Sequence, residues 1–151
     1  MQPLNFPAYP LKLQKTNNQY RVFDRIRKKF VVLTPEEWVR QHLVWHLIEE
    51  LKYPEGLINL EYSFMVNNQP VRCDVIVFSK EGKPLLLAEC KAPSIKLSNE
   101  TLHQAGRYNI VTKTNWLVIS NGLQHLTCLV NFETKEISYK NEMPDYLTIS
   151  R

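Results

Sequence analysis

Two short apolar segments separated by a polar turn constrain the fold of this chain most strongly. Residues 71–78 (VRCDVIVF) and 85–92 (LLLAECKA) are rich in branched and apolar residues, as β-strands are. Gly82 lies between them, where a tight turn needs a residue that tolerates positive φ. The two segments therefore predict a β-hairpin.

The centre of the turn decides which residues face each other across this hairpin. If residues 81–82 are the centre, Phe78 lies opposite Leu85 and Asp74 lies opposite Glu89. Directly opposed side chains lie about 4.5–5.5 Å apart, where like charges destabilise a sheet. Two carboxylates roughly 5 Å apart repel by about 3 kcal/mol at an effective dielectric of about 20. The pattern therefore predicts an acidic pair that needs a compensating cation.

A lysine follows this acidic pair on the same side of the sheet. Lys91 comes two residues after Glu89, and side chains alternate between faces along a strand. Mg²⁺ binds through one or two carboxylates together with water and substrate phosphates, and a nearby ammonium group can orient water or stabilise developing charge. The three residue types predict a hydrolytic magnesium site; the alternative is a surface hairpin in which Lys91 only neutralises Glu89.

Both faces of the hairpin also carry apolar residues. One predicted face consists of Val71, Cys73, Val75 and Val77 opposite Leu86, Ala88, Cys90 and Ala92. The charged face also carries Ile76, Phe78, Leu85 and Leu87. A sheet covered on both sides lies in the middle of a domain, where charged groups need partners.

The composition is that of a soluble globular domain. The 151 residues are 44% hydrophobic and 23% charged, enough for one sizeable core. No segment is long and apolar enough to cross a membrane, and the N-terminus lacks the pattern of a signal peptide. The three cysteines lie within apolar segments, which predicts buried free thiols and a reducing, cytoplasmic location.

Positive charge is concentrated near the N-terminus. Residues 1–33 contain seven lysines and arginines against Asp24 alone, a surplus of +6 in a chain of net charge +4. Such a basic region beside an acidic site suits a polyanionic substrate, although it also serves solubility. The candidate nucleic-acid contacts, all basic, are Arg25, Arg27, Lys28, Lys29, Arg72 and Arg107.

Two helices are predicted from capping residues and periodicity. Thr34, with proline next and glutamate three residues later, predicts a helix that ends at about residue 51. A second helix begins after Ser98 or Asn99 and ends at about Val111. Further strands are predicted at residues 19–33 (strands or a hairpin), 60–66, 116–120, 123–132 and 137–140. We expect residues 1–33 to form an arm and strands packed on a domain of residues 34–151, a single domain overall.

The first helix carries charged residues in line with its apolar stripe. Glu36, Glu37 and Arg40 lie at its N-terminal end, so one of them is positioned to reach the hairpin carboxylates. The alternatives are a capping box for Glu37 and an i,i+4 ion pair for Glu36 and Arg40. His42 and His46 fall opposite the stripe without a third ligand, which predicts solvated histidines rather than a zinc site.

The second helix places Gln104 and Tyr108 on one face, because they lie four residues apart. An ordinary amphipathic helix with a half-buried tyrosine would give the same spacing. The chain order is thus helix, three strands, helix and further strands, which predicts a mixed sheet with helices on both faces.

This order and these residues resemble the PD-(D/E)xK nuclease superfamily, whose core is a helix, a three-strand meander, a helix and a further strand. Asp74 matches the aspartate of the second core strand, and residues 89–91 (ECK) match the (D/E)xK element of the third. Gln104 and Tyr108 resemble the QxxxY element of one branch. Glu37, or less well Glu36, resembles the glutamate that many members carry on the first helix.

Within the superfamily, the chain is most similar to the N-terminal nuclease domain of type I restriction enzyme R subunits. Residues 34–41 (TPEEWVRQ), 89–93 (ECKAP) and 120–122 (SNG) carry this similarity, which covers about residues 20–140. Two departures are Cys73, where the superfamily name has proline, and the lack of a P-loop in these 151 residues. The similarity therefore does not imply motor-driven translocation.

The resemblance implies a restriction-endonuclease-like three-layer α/β fold, with a central mixed sheet flanked by helices in an α-β-β-β-α-β core and extra C-terminal hairpin strands. It implies hydrolysis of DNA with Mg²⁺ or Mn²⁺ held by Asp74, Glu89 and the Cys90 carbonyl. It also implies catalytic roles for Lys91 and for Gln104, Tyr108 and Glu37. The implied partners are DNA and a homodimer or a larger restriction or defence assembly. The alternatives are a silent nucleic-acid-binding or assembly module of the same fold, and a plain interaction domain.

Overall fold

The chain folds into two β-sheets and three α-helices, and the computed structural model describes all of residues 1–151. The strands are β1 (Leu13–Thr16), β2 (Gln19–Asp24), β3 (Lys29–Val32), β4 (Ile58–Val66), β5 (Gln69–Phe78), β6 (Pro84–Cys90), β7 (Trp116–Ser120), β8 (His125–Val130) and β9 (Ile137–Lys140). The helices are α1 (Pro35–Glu49), α2 (Asn99–Thr112) and α3 (Tyr146–Ile149). Neither β1 nor α3 was predicted, because β1 is short and fully exposed and α3 is only one turn long.

The larger sheet is mixed, as the sequence predicted. Its six strands lie in the order β4-β5-β6-β7-β8-β9. Strands β4, β5 and β6 form an antiparallel meander, and α2 provides the crossover that places β7 parallel to β6. Strands β8 and β9 continue antiparallel to β7. Strands β1, β2 and β3 form a separate antiparallel sheet.

The two long helices cover opposite faces of the larger sheet. The α1-side core includes Val39, Leu43 and Leu47, and the α2-side core includes Ala105 and Leu117. All three cysteines are buried free thiols, as predicted. Both faces of the sheet are therefore covered by apolar side chains. A charged side chain between these layers needs a hydrogen-bond or ion-pair partner.

The caps position both helices as the sequence predicted. The Thr34 side chain accepts the Glu37 N–H at 3.0 Å, although the Glu37 carboxylate does not return to Thr34 and points elsewhere. At α2, Ser98 and Thr101 form a reciprocal capping box. These caps fix where each helix begins relative to the ends of β5 and β6.

The turn between β5 and β6 begins one residue earlier than predicted. Gly82, at φ +84°, donates its N–H to the Ser79 carbonyl at 2.9 Å, so the turn is centred before it. Phe78 consequently pairs with Pro84, not with Leu85. Leu85 has no partner on β5 and packs on the α1-side core, so its predicted place on the charged face is wrong.

A bulge next to this turn restores the predicted register. The register shifts between Val77 and Phe78, after which Val77 pairs with Leu86. The pairing extends to Val75 and Ala88, so the next positions along the two strands are Asp74 and Glu89. The acidic pair is therefore aligned by a turn and a bulge that compensate each other.

The side chains of β5 stop alternating regularly between the two faces of the sheet at Asp74. Val75 packs on the α1-side core, whereas Cys73 packs on the α2-side core together with Phe64 of the neighbouring strand. Glu61, opposite Asp74, adopts the left-handed conformation at φ +50°, and the ladder skips this pair. The prediction of one continuous apolar face through Cys73 is wrong, because the backbone irregularity interrupts the alternation.

The N-terminal residues 1–10 form the predicted arm and cover the outer side of α1. The Phe6 ring lies 5.4 Å from the His46 ring and 6.2 Å from the His42 ring. The Tyr9 hydroxyl lies 3.2 Å from His46 Nδ1. The prediction of solvated histidines is wrong, because the arm leaves His42 only 7% exposed.

Candidate functional site

Asp74 is oriented by donors from two different elements. Arg40 of α1 donates from Nη2 to Asp74 Oδ1 at 3.0 Å. The Cys90 backbone N–H donates to Asp74 Oδ2 at 2.7 Å. The irregularity at Glu61 and Asp74 is what allows a β5 side chain to reach both partners. The carboxylate is therefore held in one orientation at the edge of the two cores.

Glu89 lies next to Asp74 but lacks comparable partners. Its Oε1 atom is buried and has no hydrogen-bond partner. Burial and then the charge of Asp74 raise the pKa of Glu89 to about 9, and the two carboxyls are close enough to share a hydrogen bond. A cation bound between them would favour the charged form and supply the missing partner. The donor set thus fits a hard divalent cation.

Lys91 connects this acidic pair to an open cleft. The cleft has a volume of about 560 Å³ and is lined by polar residues of α1, α2 and the loop after β6, among them Glu36, Lys91, Lys96, Ser98, Thr101 and Gln104. The Lys91 charge acts on the carboxyls of both Glu36 and Glu89. Asp74 and Glu89 do not line the cleft themselves, whereas Lys91, two residues after Glu89, does.

Helix α1 contributes Glu36, rather than Glu37, to this cleft. Arg40 Nη2 contacts Glu36 at 3.1 Å and Asp74 at 3.0 Å, so one nitrogen joins both carboxylates. Burial and then the charge of Asp74 raise the pKa of Glu36. The Glu37 carboxylate instead accepts from Arg27 and Arg40. The geometry favours the alternative glutamate over the one that the sequence favoured.

Arg40 is the residue that the sequence analysis undervalued. Arg40 was one of three residues expected to reach the hairpin carboxylates, with an i,i+4 pair to Glu36 as the alternative, and it contacts Glu36, Glu37 and Asp74 together. It is 4% exposed. Burial opposes its charge, but Glu37 and Asp74 raise the pKa of Arg40 above its ordinary value. A charged residue in line with an apolar stripe was the available signal, because such a residue needs a buried partner.

Helix α2 brings both predicted residues toward the site. Gln104 lines the cleft. Tyr108 packs edge-on against Phe64, with ring centroids 5.8 Å apart. Burial and then the charge of Glu89 raise the pKa of Tyr108, which places its hydroxyl within electrostatic reach of that carboxyl. Of the two predicted residues, Gln104 lines the cleft and Tyr108 packs on the α2-side core beside Phe64.

Two of the predicted nucleic-acid contacts are engaged inside the protein. Arg25 donates to Glu55 and to Glu49, the latter at 2.9 Å, and lies over the Trp45 ring. Arg27 bonds carboxylates on three other elements and is 17% exposed. Neither guanidinium is free for a phosphate, so the prediction is wrong for both side chains.

The other four basic candidates remain accessible. Lys28 is 67% exposed and lies 3.8 Å from a Glu55 oxygen. Lys29, Arg72 and Arg107 are exposed and form no ion pair. Because they are surface residues, their positions are compatible with contacts to a polyanion.

The structure contains no group of three or more His, Cys, Asp or Glu side chains arranged to hold a metal ion. The predicted set has only two carboxylates, completed by the Cys90 carbonyl. A set poor in side-chain ligands suits Mg²⁺, which keeps several waters, better than zinc.

The chain's family is shown by comparison with known families. Residues 35–144 match the family described as type I restriction enzyme R protein N terminus (HSDR_N). The chain belongs to this family. The matched region includes α1, the meander, α2 and all strands of the larger sheet. This confirms the predicted closeness to the R-subunit N-terminal domain.

A solved structure shares the fold. It is a fragment assigned as an HsdR subunit of a type I restriction enzyme from Vibrio vulnificus YJ016, with a TM-score of 0.59 and 16% sequence identity. The match covers 78% of this chain and 24% of that one. It confirms the restriction-endonuclease-like α/β fold. No curated protein matches the chain, and none of its helices has the length and apolar character needed to cross a membrane.

Proposed function

We propose that this domain is a metal-dependent nuclease that hydrolyses phosphodiester bonds in DNA. One observation carries this proposal: the buried Glu89 Oε1 lacks a donor beside the fixed carboxylate of Asp74, next to a cleft that Lys91 lines. A buried acid without a donor beside a second carboxylate costs stability, and a bound cation would offset that cost. Membership of the R-subunit N-terminal family supports the same activity.

Asp74, Glu89 and the Cys90 carbonyl would hold Mg²⁺ or Mn²⁺. When bound, such an ion supplies a Lewis acid and lowers the pKa of coordinated water. Arg40 and the Cys90 N–H keep the Asp74 carboxylate oriented toward that position. The site therefore presents fixed carboxylate oxygens before any substrate arrives, which is the arrangement that preorganised catalysis needs.

Lys91, Gln104 and Tyr108 would act on the substrate side. The Lys91 ammonium lies where it can hydrogen-bond an attacking water or a phosphate oxygen in the cleft. Gln104 offers amide groups for the phosphate backbone, and Tyr108 would add a hydroxyl near Glu89. Glu36 adds a negative charge at the cleft wall that helps to retain a cation.

A second candidate function is a silent nucleic-acid-binding or assembly module. Both oxygens of Asp74 already accept a hydrogen bond, one of them from the buried guanidinium of Arg40. This internal cation partly replaces the charge of a metal. In that case the domain would bind DNA without cutting it, and would serve an assembly of several subunits.

Cleavage assays separate the two functions. Supercoiled plasmid and single-stranded DNA are incubated with the full chain and Mg²⁺ or Mn²⁺, and products are resolved on gels. We expect cleavage by the wild type and a loss of at least about 100-fold for Asp74→Asn, Glu89→Gln and Lys91→Ala, the scale for electrostatic groups in a site.

The matched controls are Glu81→Gln and Lys83→Ala, which remove exposed charges from the turn of the same hairpin. They should cleave like the wild type. DNA binding without cleavage by the wild type in either metal would favour the silent module, and cleavage that survives Glu89→Gln would contradict the assigned site.

A further inference from the structure

The three-stranded sheet has an inner and an outer face of different character. Val22 and Asp24 are buried on its inner face, at 0% and 1% exposure. Side chains alternate along a strand, so the other positions point outward. The pairing aligns Gln14 with Arg21 and Phe23 with Phe30. The outer face therefore consists of Lys12, Gln14, Thr16, Gln19, Arg21, Phe23, Phe30 and Val32.

An aromatic pair lies on this outer face, away from both hydrophobic cores. The rings of Phe23 and Phe30 meet edge-to-face with centroids 5.4 Å apart, and neither packs on the α1-side or α2-side core. Lys12 Nζ lies 5.9 Å from each ring centroid. Such a cross-strand pair stabilises the hairpin, but it also leaves half-exposed rings beside a cation.

A polar hollow adjoins the aromatic pair. It has a volume of about 470 Å³ and is lined entirely by polar side chains, namely Gln14, Thr16, Asn17, Gln19 and Arg21. None of these side chains hydrogen-bonds to another protein group. Amide, hydroxyl and guanidinium groups with free hydrogen-bonding capacity are the groups that contact sugar and phosphate oxygens.

The two cations on the outer face of this sheet have no acidic partner. Asp24, the only acid among residues 1–33, is buried and accepts hydrogen bonds from Arg27 and Gln41. Lys12 and Arg21, on the outer face, form no ion pair. A surface with free cations, amides and aromatic rings is complementary to a nucleic acid, since phosphates take the cations and bases pack on rings.

We propose that the outer face of β1–β3 binds the sugar-phosphate backbone of a nucleic acid strand. Strand β3 ends at Val32, and Glu36 of the cleft follows four residues later. Arg27 ties the β2–β3 turn to Glu37 and Glu61, the residue opposite Asp74. The inference takes only its class of ligand from the proposed function, and it assigns a surface outside the hydrolytic site.

Fluorescence anisotropy with labelled single-stranded and duplex DNA tests this surface. EDTA is present, so that cleavage does not contribute. The double variant Lys12→Gln/Arg21→Gln removes both outer cations without touching the buried network. We expect its affinity to fall at least about tenfold at roughly 0.1 M salt, and its salt dependence to weaken by about 1.5 in log–log slope.

The control is Lys80→Gln/Lys83→Gln, which removes two exposed lysines from the β5–β6 turn. It should weaken binding less than about threefold. Equal losses in both double variants would show a general charge effect and overturn the assignment, as would wild-type affinity in Lys12→Gln/Arg21→Gln. Because binding is measured without metal, a protein that fails to cut DNA can still confirm this surface, and a protein that cuts can refute it.

Discussion

Two clusters of acidic residues lie on either side of Arg40, and they are satisfied to very different degrees. In the first, Asp24 accepts from Arg27 and Gln41 at 2.7 and 2.9 Å, and Glu37 accepts from Arg27 and Arg40 at 2.7 and 2.8 Å. Every carboxylate oxygen of that cluster has a donor. In the second cluster, Asp74 has two donors and its neighbour Glu89 has a buried oxygen with none.

The difference appears in the direction of the pKa shifts. Burial alone would raise the pKa of Asp24, but hydrogen bonds and the charge of Arg27 lower it. Burial and the neighbouring Asp74 raise the pKa of Glu89 to about 9. The first cluster is thus satisfied by its own donors, whereas the second contains an acid whose charged form lacks an internal partner. A perturbed acid that lacks an internal partner is a better indicator of function than a buried acid as such.

The largest expected effect comes from breaking the satisfied cluster. Arg27→Met removes the guanidinium shared by Asp24, Glu37 and Glu61 and leaves the buried carboxylate of Asp24 without an ion-pair partner. We expect the free energy of unfolding to fall by about 3–5 kcal/mol, the cost of breaking a buried ion pair from one side. Urea denaturation followed by circular dichroism measures it.

Two other arginine variants make this result interpretable. Arg27→Lys retains the charge but loses the planar fork, so its loss should be smaller than that of Arg27→Met. Arg21→Met removes an arginine of the same small sheet that forms no ion pair and should change stability by less than about 0.5 kcal/mol. Similar losses for Arg21→Met and Arg27→Met would contradict the distinction between satisfied and free cations.

The contribution of the second cluster to stability should change with pH in the opposite direction to that of the first. The folded-state pKa of Glu89, about 9, lies above its ordinary value of 4.5, so between these values the folded chain binds more protons than the unfolded one. Stability should therefore fall as the pH rises through this window, by up to about 1.4 kcal/mol per pH unit. For Asp24, whose pKa is lowered, stability is instead lost as the pH falls below about 3.8.

Glu89→Gln isolates this contribution. In EDTA its unfolding free energy should exceed that of the wild type by an amount that grows from pH 5 to pH 8.5. Addition of Mg²⁺ should narrow the gap, because a cation that binds the ionised pair stabilises only the wild type. A constant gap across this range, with and without Mg²⁺, would mean that Glu89 is not the strained acid of the site.

Most of the larger sheet was predictable because its signals are local. Continuous apolar runs such as residues 116–120 and the cap at Ser98 need only neighbouring residues to be interpreted. The β5–β6 turn shows the limit, since the predicted centre was wrong and a bulge at Val77 compensated for it. Turn types and bulges depend on backbone conformations that several sequences share.

The sequence predicted which residues make up the candidate site, but only part of how they are arranged. The pairing of Asp74 with Glu89 follows from strand register, but Arg40 reaches Asp74 across 34 positions of the chain. Helical periodicity also could not decide between Glu36 and Glu37, which lie 100° apart on α1. That choice depends on Arg27, a residue of another sheet, which binds Glu37 and leaves Glu36 to the cleft.

The smallest expected effect distinguishes these two adjacent glutamates. The Glu36 side chain is 46% exposed, so Glu36→Gln should change stability by less than about 0.5 kcal/mol. Glu37→Gln removes the shared partner of Arg27 and the buried Arg40 and should cost about 2–3 kcal/mol. Mn²⁺ affinity, measured by electron paramagnetic resonance, should fall a few-fold for Glu36→Gln, because a negative charge beside Asp74 is lost. If Glu37→Gln weakens Mn²⁺ binding more than Glu36→Gln while remaining folded, then Glu37 belongs to the metal site and the two acidic clusters are one functional unit.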